Sequence, residues 1–243
     1  MAEFGKNILY FDCVTSTFDE LTKYPPENGL VVVADRQTGG IGRKGRAWVS
    51  DMGGAYFSFY ILPDDKTENI PFLAIVCALA AYNTISRYTT CAIKWPNDIV
   101  SDGKKVCGIL TKSAFNGDSS VYVMAGIGIN ANNTDFGELD YRATSLKLLA
   151  GKEIDRNKLV EEFFEEFNKI YLNLSNEEII RLYKNACVTL GSHVAVHYNT
   201  DGTVFEGKCI DVRTDGSVDI KTENGIINVN AGEVSVRGIY GYV

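Results

Sequence analysis

What most restricts this chain is a set of tight-turn dipeptides, each placed between short apolar runs. Asp102-Gly103 divides VSDGKKVCGILTKSAF, Asn116-Gly117 leads into VYVMAGIGIN, and Asp201-Gly202, Asp215-Gly216 and Asn224-Gly225 punctuate the C-terminal part. Asp-Gly and Asn-Gly supply the positive φ angles of two-residue hairpin turns, so the flanking runs are expected to pair as antiparallel strands. NILYFD, the β-branched LVVVAD, AYFSFYIL and CAIKW read as further strands.

Helical spacing appears in four places. TSTFDELTKY reads as a short helix capped by Thr15 or Ser16, and Pro71 to Tyr88 as a longer one whose proline sits in the first turn, where it is tolerated. Arg156 to Leu174 places Phe163, Phe167, Ile170 and Leu174 on one face, and Asn176 to Cys187 follows it. Beyond Leu190 come SHVAVHY, TVFEGKCIDV, SVDIKT and IINVNAGEVSV, four alternating runs that suggest a small barrel. The fold class is therefore α+β, a mixed sheet with helices over residues 1–187 and a separate barrel over residues 188–243.

At 243 residues, with 45% hydrophobic and 23% charged residues, the composition is that of an ordinary globular protein. The longest apolar run, IPFLAIVCALAAY, is shorter than the roughly 20 residues of a membrane span, and no secretory leader is visible, so a cytoplasmic location with no membrane partner is expected. The six cysteines, at 13, 77, 91, 107, 187 and 209, are too irregularly spaced for a metal cluster or a disulfide framework, and read as reduced thiols mostly in the core. The two histidines of HVAVH lie on a strand pattern, where four residues span about 13 Å, too far for a shared metal.

Three segments carry chemistry. GGIGRKGRAW, Gly39 to Trp48, concentrates bare backbone and cations in a chain of net charge −7, which suits a phosphate or a nucleotide, although a basic surface loop is the plain alternative. It is neither a P-loop nor a dinucleotide fingerprint. KWPNDIVSDGKKVCGIL sets Asn97 and Asp98 at a strand end and Lys105 on the returning arm of a hairpin, which also makes sense as turn chemistry alone. AGIGIN, Ala125 to Asn130, ends a strand with small residues that suit either a ligand or a packed helix.

Taken together, these segments resemble the biotin–protein ligases, also called biotin–[acetyl-CoA-carboxylase] ligases. The likeness runs from the early TST through QTGGIGRKGRAW, KWPNDI, KKVCGIL, GIGIN and ATSL to the C-terminal barrel, nearly the whole chain. It implies a class II aminoacyl-tRNA synthetase-like catalytic domain with an SH3-like barrel, and an enzyme that converts biotin and ATP into biotinyl-5′-AMP. Biotin is then passed to a lysine of a biotin carboxyl carrier protein. By the same resemblance Ser16, Thr17 and Gln37 bind the ureido ring, with Ile41, Gly42, Arg43, Lys105 and Gly108 along the rest of biotin. Gly39, Gly40, Arg43, Arg46, Trp48, Asn97, Lys105 and Asn130 serve ATP, with Trp48 on the adenine side and Asn130 at the adenine edge. Lys105 and Arg43 stabilise the reacting anions, Asp98 orients or deprotonates the acceptor amine, and Mg²⁺ accompanies ATP.

One departure stands out: where such ligases commonly read GRGR, this chain reads Gly40-Ile41-Gly42-Arg43, which is harmless if that position supplies only backbone. With the first strand beginning by residue 7 and a net acidic charge, no DNA-binding helix-turn-helix is expected; a homodimer is compatible with the family. Two other readings stay open, a lipoate or octanoyl ligase of the same fold and a biotin or adenylate sensor without catalysis.

Overall fold

The computed structural model describes residues 3–62, 70–116, 119–198, 202–231 and 234–238. The β-branched and hairpin-flanked runs form one seven-stranded sheet: β1 (Asn7–Val14), β2 (Leu30–Gln37), β3 (Ala55–Ile61), β4 (Ala92–Lys94), β5 (Asp98–Ser101), β6 (Lys104–Asn116) and β7 (Ser119–Ile129). Their order is β1-β2-β3-β7-β6-β5-β4. Only β1 and β2 run parallel, joined by α1 (Thr17–Leu21), and every other neighbour is antiparallel, as the hairpin dipeptides require. Of the expected turns, Asp102-Gly103 has φ 49° and 72°, whereas Gly117 and Asp201 lie outside the described residues.

One face of the sheet is covered by α2 (Ile70–Ile85), α4 (Arg156–Asn173) and α5 (Asn176–Ala186). α4 presents Phe163, Phe164 and Phe167 to Phe57 and Phe59 of β3, mostly edge to face at centroid distances of 5.0 to 6.1 Å. Among the described residues the other face carries only α1, whose Phe18 and Leu21 pack on Leu30, Val32 and Tyr60. Among the described residues no helix covers the middle of that face, over β6 and β7, and the cavity described below sits there. One helix was not legible in the sequence, α3 (Leu146–Ala150), a single turn capped by Ser145 and ended by Gly151 at φ 68°.

The C-terminal strands β8 (His193–Tyr198), β9 (Val204–Val212), β10 (Val218–Thr222), β11 (Gly225–Val229) and β12 (Val234–Gly238) make a second, five-stranded antiparallel sheet in the order β11-β10-β9-β8-β12. The run IINVNAGEVSV, expected as one strand, is two: the chain leaves β11 after Val229 and crosses to the far edge, where β12 pairs with β8. The segment leading into the smaller sheet is stitched to the larger one. Val188 N donates to Ile93 O at 2.9 Å, Trp95 N to Thr189 Oγ1 at 2.9 Å and Trp95 Nε1 to Gly216 O at 3.0 Å. Val194, Val196, Val218 and Ile220 belong to the same continuous apolar core as the first sheet. Cys77, Cys107, Cys187 and Cys209 are buried, Cys91 is half-buried and Cys13 exposed, and none forms a disulfide.

Candidate active site

The glycine-rich segment is a hairpin standing on the sheet. Gln37 and Ser50 pair at its base, Trp48 N donates to Gly40 O at 2.9 Å, Ile41 pairs with Ala47, and Gly42 N donates to Arg46 O at 2.7 Å. Lys44 and Gly45 turn the tip with φ of 59° and 70°. Gly40 has no room for a side chain, since a Cβ would lie 2.5 Å from both Ser50 Oγ and Trp48 O. Arg43 does not hang in solvent: its guanidinium donates to Asn97 Oδ1 at 2.9 Å and to the Ala231 carbonyl of the second sheet's β11–β12 connection. Burial lowers the Arg43 pKa, opposed by the nearby Asp98 carboxylate, and a guanidinium stays charged at neutral pH regardless.

Between this hairpin and the sheet lies a cavity of about 350 Å³. Its floor is bare backbone, because Gly108 of β6 lies directly opposite Gly128 of β7, and Leu110 opposite Gly126. The Trp48 ring lies over both bare positions: added Cβ atoms at Gly108 and Gly128 would fall 2.9 and 2.5 Å from it. Gly126 is similarly shadowed by the Phe18 ring, at 2.3 Å. The Trp48 Nε1–H is buried and has no hydrogen-bond partner among the described residues.

Lys105 reaches the cavity through a break in strand alternation. Cys107 and Ile109 point into the helix-covered core, and a regular strand would send Lys105 the same way. Instead β6 bulges where Ile99 pairs with Cys107 and Val100 with Lys105, so Val106 and Cys107 both face the core and Lys105 emerges beside Gly108. Arg142 O and Thr144 N bond the Lys105 backbone at 2.7 and 3.0 Å and hold the bulge from outside the sheet. Lys105 Nζ then lies 2.6 Å from Asp98 Oδ1 and 4.9 Å above the Trp48 ring, with the Lys105 and Asp98 side chains only 22% and 16% exposed.

At the opposite end the polar groups are tightly assigned. Ser16, the N-cap of α1, accepts from Phe18 N and Asp19 N, which leaves its hydroxyl proton to donate elsewhere. Gln37 Oε1 accepts from Thr17 N at 2.8 Å and Thr17 Oγ1 at 3.2 Å, while Gln37 Nε2 gives one of its two protons to Ser50 Oγ at 2.8 Å. Two protons therefore remain at this end, on Ser16 and Gln37, suited to a carbonyl oxygen.

Of the residues expected from sequence, Ser16, Thr17, Gln37, Ile41, Gly42, Arg43, Arg46, Trp48, Asn97, Asp98, Lys105, Gly108 and Asn130 line this one cavity. Gly39 and Gly40 do not. Gly39 N–H is taken by Thr15 O at 2.7 Å and Gly40 O by Trp48 N, so both shape the base of the hairpin. Asn97 and Asn130 line the wall with their amides committed, Asn97 Nδ2 to Ile109 O at 2.6 Å and Asn130 Nδ2 to Thr144 O at 3.0 Å. Sequence reasoning missed Phe18, Phe136, Leu139 and Arg142, which also line the cavity; the ATSL motif singled out in the sequence begins one residue after Arg142. The lining holds five cations, Arg43, Lys44, Arg46, Lys105 and Arg142, against one carboxylate, Asp98.

The Biotin/lipoate A/B protein ligase family matches residues 10–130, and the Biotin protein ligase C terminal domain matches residues 189–237. The Bifunctional ligase/repressor BirA of Bacillus subtilis (strain 168) is 33% identical over 244 residues, covering 96% of this chain and 74% of that protein. This chain belongs to the biotin protein ligase family. Another member similar to it is the Biotin–[acetyl-CoA-carboxylase] ligase of Mycobacterium tuberculosis, 26% identical with 85% of this chain and 79% of that protein covered. Among solved biotin protein ligases, the Aquifex aeolicus enzyme in complex with biotin and ATP superposes with a TM-score of 0.83 at 32% identity, covering 96% of this chain and 99% of that one.

Proposed function

We propose that this chain activates biotin with ATP as biotinyl-5′-AMP and transfers the biotinyl group to a lysine of a biotin carboxyl carrier domain. The observation that carries the proposal is a single cavity with a neutral, proton-donating end and a cationic end. The ureido carbonyl fits between the Ser16 hydroxyl and the free Gln37 Nε2–H, and the Phe18 ring and bare Gly126 accommodate the fused rings. A dithiolane offers these donors no comparable acceptor, which disfavours lipoate.

In adenylation a carboxylate oxygen attacks the α-phosphorus and pyrophosphate leaves, so anion approaches anion. Lys105 is the ammonium aimed at that meeting point, and Arg43, anchored to Asn97 and Ala231, is the fixed guanidinium of the hairpin. Asp98 first holds Lys105. It is also the one carboxylate among the described lining residues, and so the group that orients the acceptor amine as that amine attacks the acyl carbon and AMP departs. Among the described residues no three His, Cys, Asp or Glu side chains converge, so Mg²⁺ would be held chiefly by ATP phosphate oxygens with Asp98 as the available protein oxygen; bound there, it neutralises phosphate charge.

The larger sheet is of the class II aminoacyl-tRNA synthetase type and the smaller of the SH3 type, with the domain boundary at 187/188. ATP dependence fits the cytoplasm, and no helix among the described residues is long and apolar enough to cross a membrane. Pyrophosphate release with ATP plus biotin, and its absence with ATP plus lipoate, tests the reading. Equal turnover of lipoate refutes it.

A further inference from the structure

A run of hydrogen bonds crosses the closed end of the cavity and finishes on the glycine-rich hairpin. Ser58 Oγ lies 2.7 Å from Thr17 Oγ1, Thr17 donates to Gln37 Oε1, Gln37 Nε2 donates to Ser50 Oγ at 2.8 Å, and Ser50 Oγ donates to Trp48 O at 2.9 Å. Ser58 is fully buried and Ser50 is 3% exposed, so water does not substitute for either partner.

Ser50 does not line the cavity, yet both of its hydroxyl functions are spent on groups that do. A hydroxyl has one proton. Here it goes to the Trp48 carbonyl, which leaves the oxygen to accept from Gln37. Thr17 N–H and Oγ1–H, both donors, hold Oε1 on their side, and the Ser50 oxygen grips Nε2 on the other, so the amide plane is fixed at both ends. The same hydroxyl fills the space that makes Gly40 bare, 2.5 Å from where its Cβ would stand.

We infer that Ser50 is a positioning residue: its hydroxyl aims the remaining Gln37 Nε2–H into the cavity and pins the Trp48 carbonyl, so the ureido-binding end and the anion-binding hairpin are held in one register by one side chain. The inference rests on the reading of Gln37 as a ureido partner. Without the hydroxyl the Gln37 amide is gripped only at Oε1 by Thr17, its plane turns about that end, and the remaining Nε2–H is no longer held toward the ligand carbonyl.

The test is a biotin titration of the full chain, followed by calorimetry, for Ser50→Ala, Gln37→Met and the double variant, with thermal unfolding of each. Loss of one hydrogen-bond constraint of this kind weakens binding by about fivefold to tenfold in Ser50→Ala. In the Gln37→Met background the same substitution should then change affinity by less than about twofold, because its route to the ligand is gone. A full penalty in both backgrounds would mean that Ser50 acts by packing alone, and unaltered affinity in Ser50→Ala would mean it does not act; either overturns the inference. Wild-type affinity in Gln37→Met overturns the ureido reading itself and the inference with it. Should Ser50→Ala not fold, Ser50→Cys, of similar volume but a weak hydrogen-bonding group, is held to the same outcomes.

Discussion

Lys105 offers a way to separate folding from chemistry. Its ammonium is 2.6 Å from Asp98, and both side chains are largely buried. Lys105→Ala therefore leaves a carboxylate in a poorly solvated place, with Arg43 as the nearby charge that partly compensates it. Stranding one member of such a pair costs about 1–3 kcal/mol, below the upper range for fully buried pairs because some solvent reaches these two and Arg43 helps. For a chain of this size that lowers Tm by on the order of 5 °C. Adding Asp98→Asn removes the stranded charge and should restore most of the lost stability. Activity should not follow, because the ammonium at the carboxylate–phosphate junction is still missing and adenylation stays about 10²-fold or more below wild type. Lys105→Arg should also adenylate poorly, since a planar guanidinium does not replace a compact ammonium. Thermal unfolding and biotin-dependent pyrophosphate release, measured on the wild type and the three variants alike, give the comparison. Near wild-type release in Lys105→Ala, or recovery of release with recovery of stability in the double variant, would show that Lys105 serves only to neutralise Asp98.

Further outcomes follow from other parts of the site. Ile41→Arg should alter adenylation by less than about threefold in pyrophosphate release, because the hairpin uses Ile41 through its backbone pairing with Ala47. Gly126→Val should abolish biotin binding in a calorimetric titration, since even its Cβ would fall 2.3 Å from the Phe18 ring. Hydrogen exchange of the amides from Gly39 to Trp48 should slow when the adenylate is bound, as the like charges of Arg43, Lys44 and Arg46 gain a counter-anion. Ending the chain at residue 187 should lower both thermal stability and carrier biotinylation, because it strips the partner from Trp95 Nε1 and opens the shared core, as a melting curve and a labelling assay would report.

The strands, the long helices and the hairpin at Asp102-Gly103 were readable because local chemistry decides them: β-branched alternation, 3.6-residue spacing and positive φ. Most cavity residues were readable for a different reason, as motifs whose family use is known. What escaped the sequence are the features that depend on contacts distant along the chain. Regular alternation places Lys105 with Cys107 and Ile109 in the core, and only the bulge, held by Arg142 and Thr144 from a later segment, turns it outward. That Gly40 must be bare also depends on a distant contact, since Ser50 fills the space a side chain would need. The split of the last strand arises from pairing with β8, a partner no local pattern names.

The central claim is that one cavity runs both half-reactions, and the most direct measurement is intact-mass analysis of a purified carrier domain after incubation with this protein, ATP and biotin. A gain of one biotinyl group on a single lysine is expected, lost when ATP is omitted or biotin is replaced by lipoate, and restored by pre-made biotinyl-5′-AMP in Lys105→Ala to a greater extent than by ATP plus biotin. An unmodified carrier despite normal pyrophosphate release, or equal modification with lipoate, would contradict it.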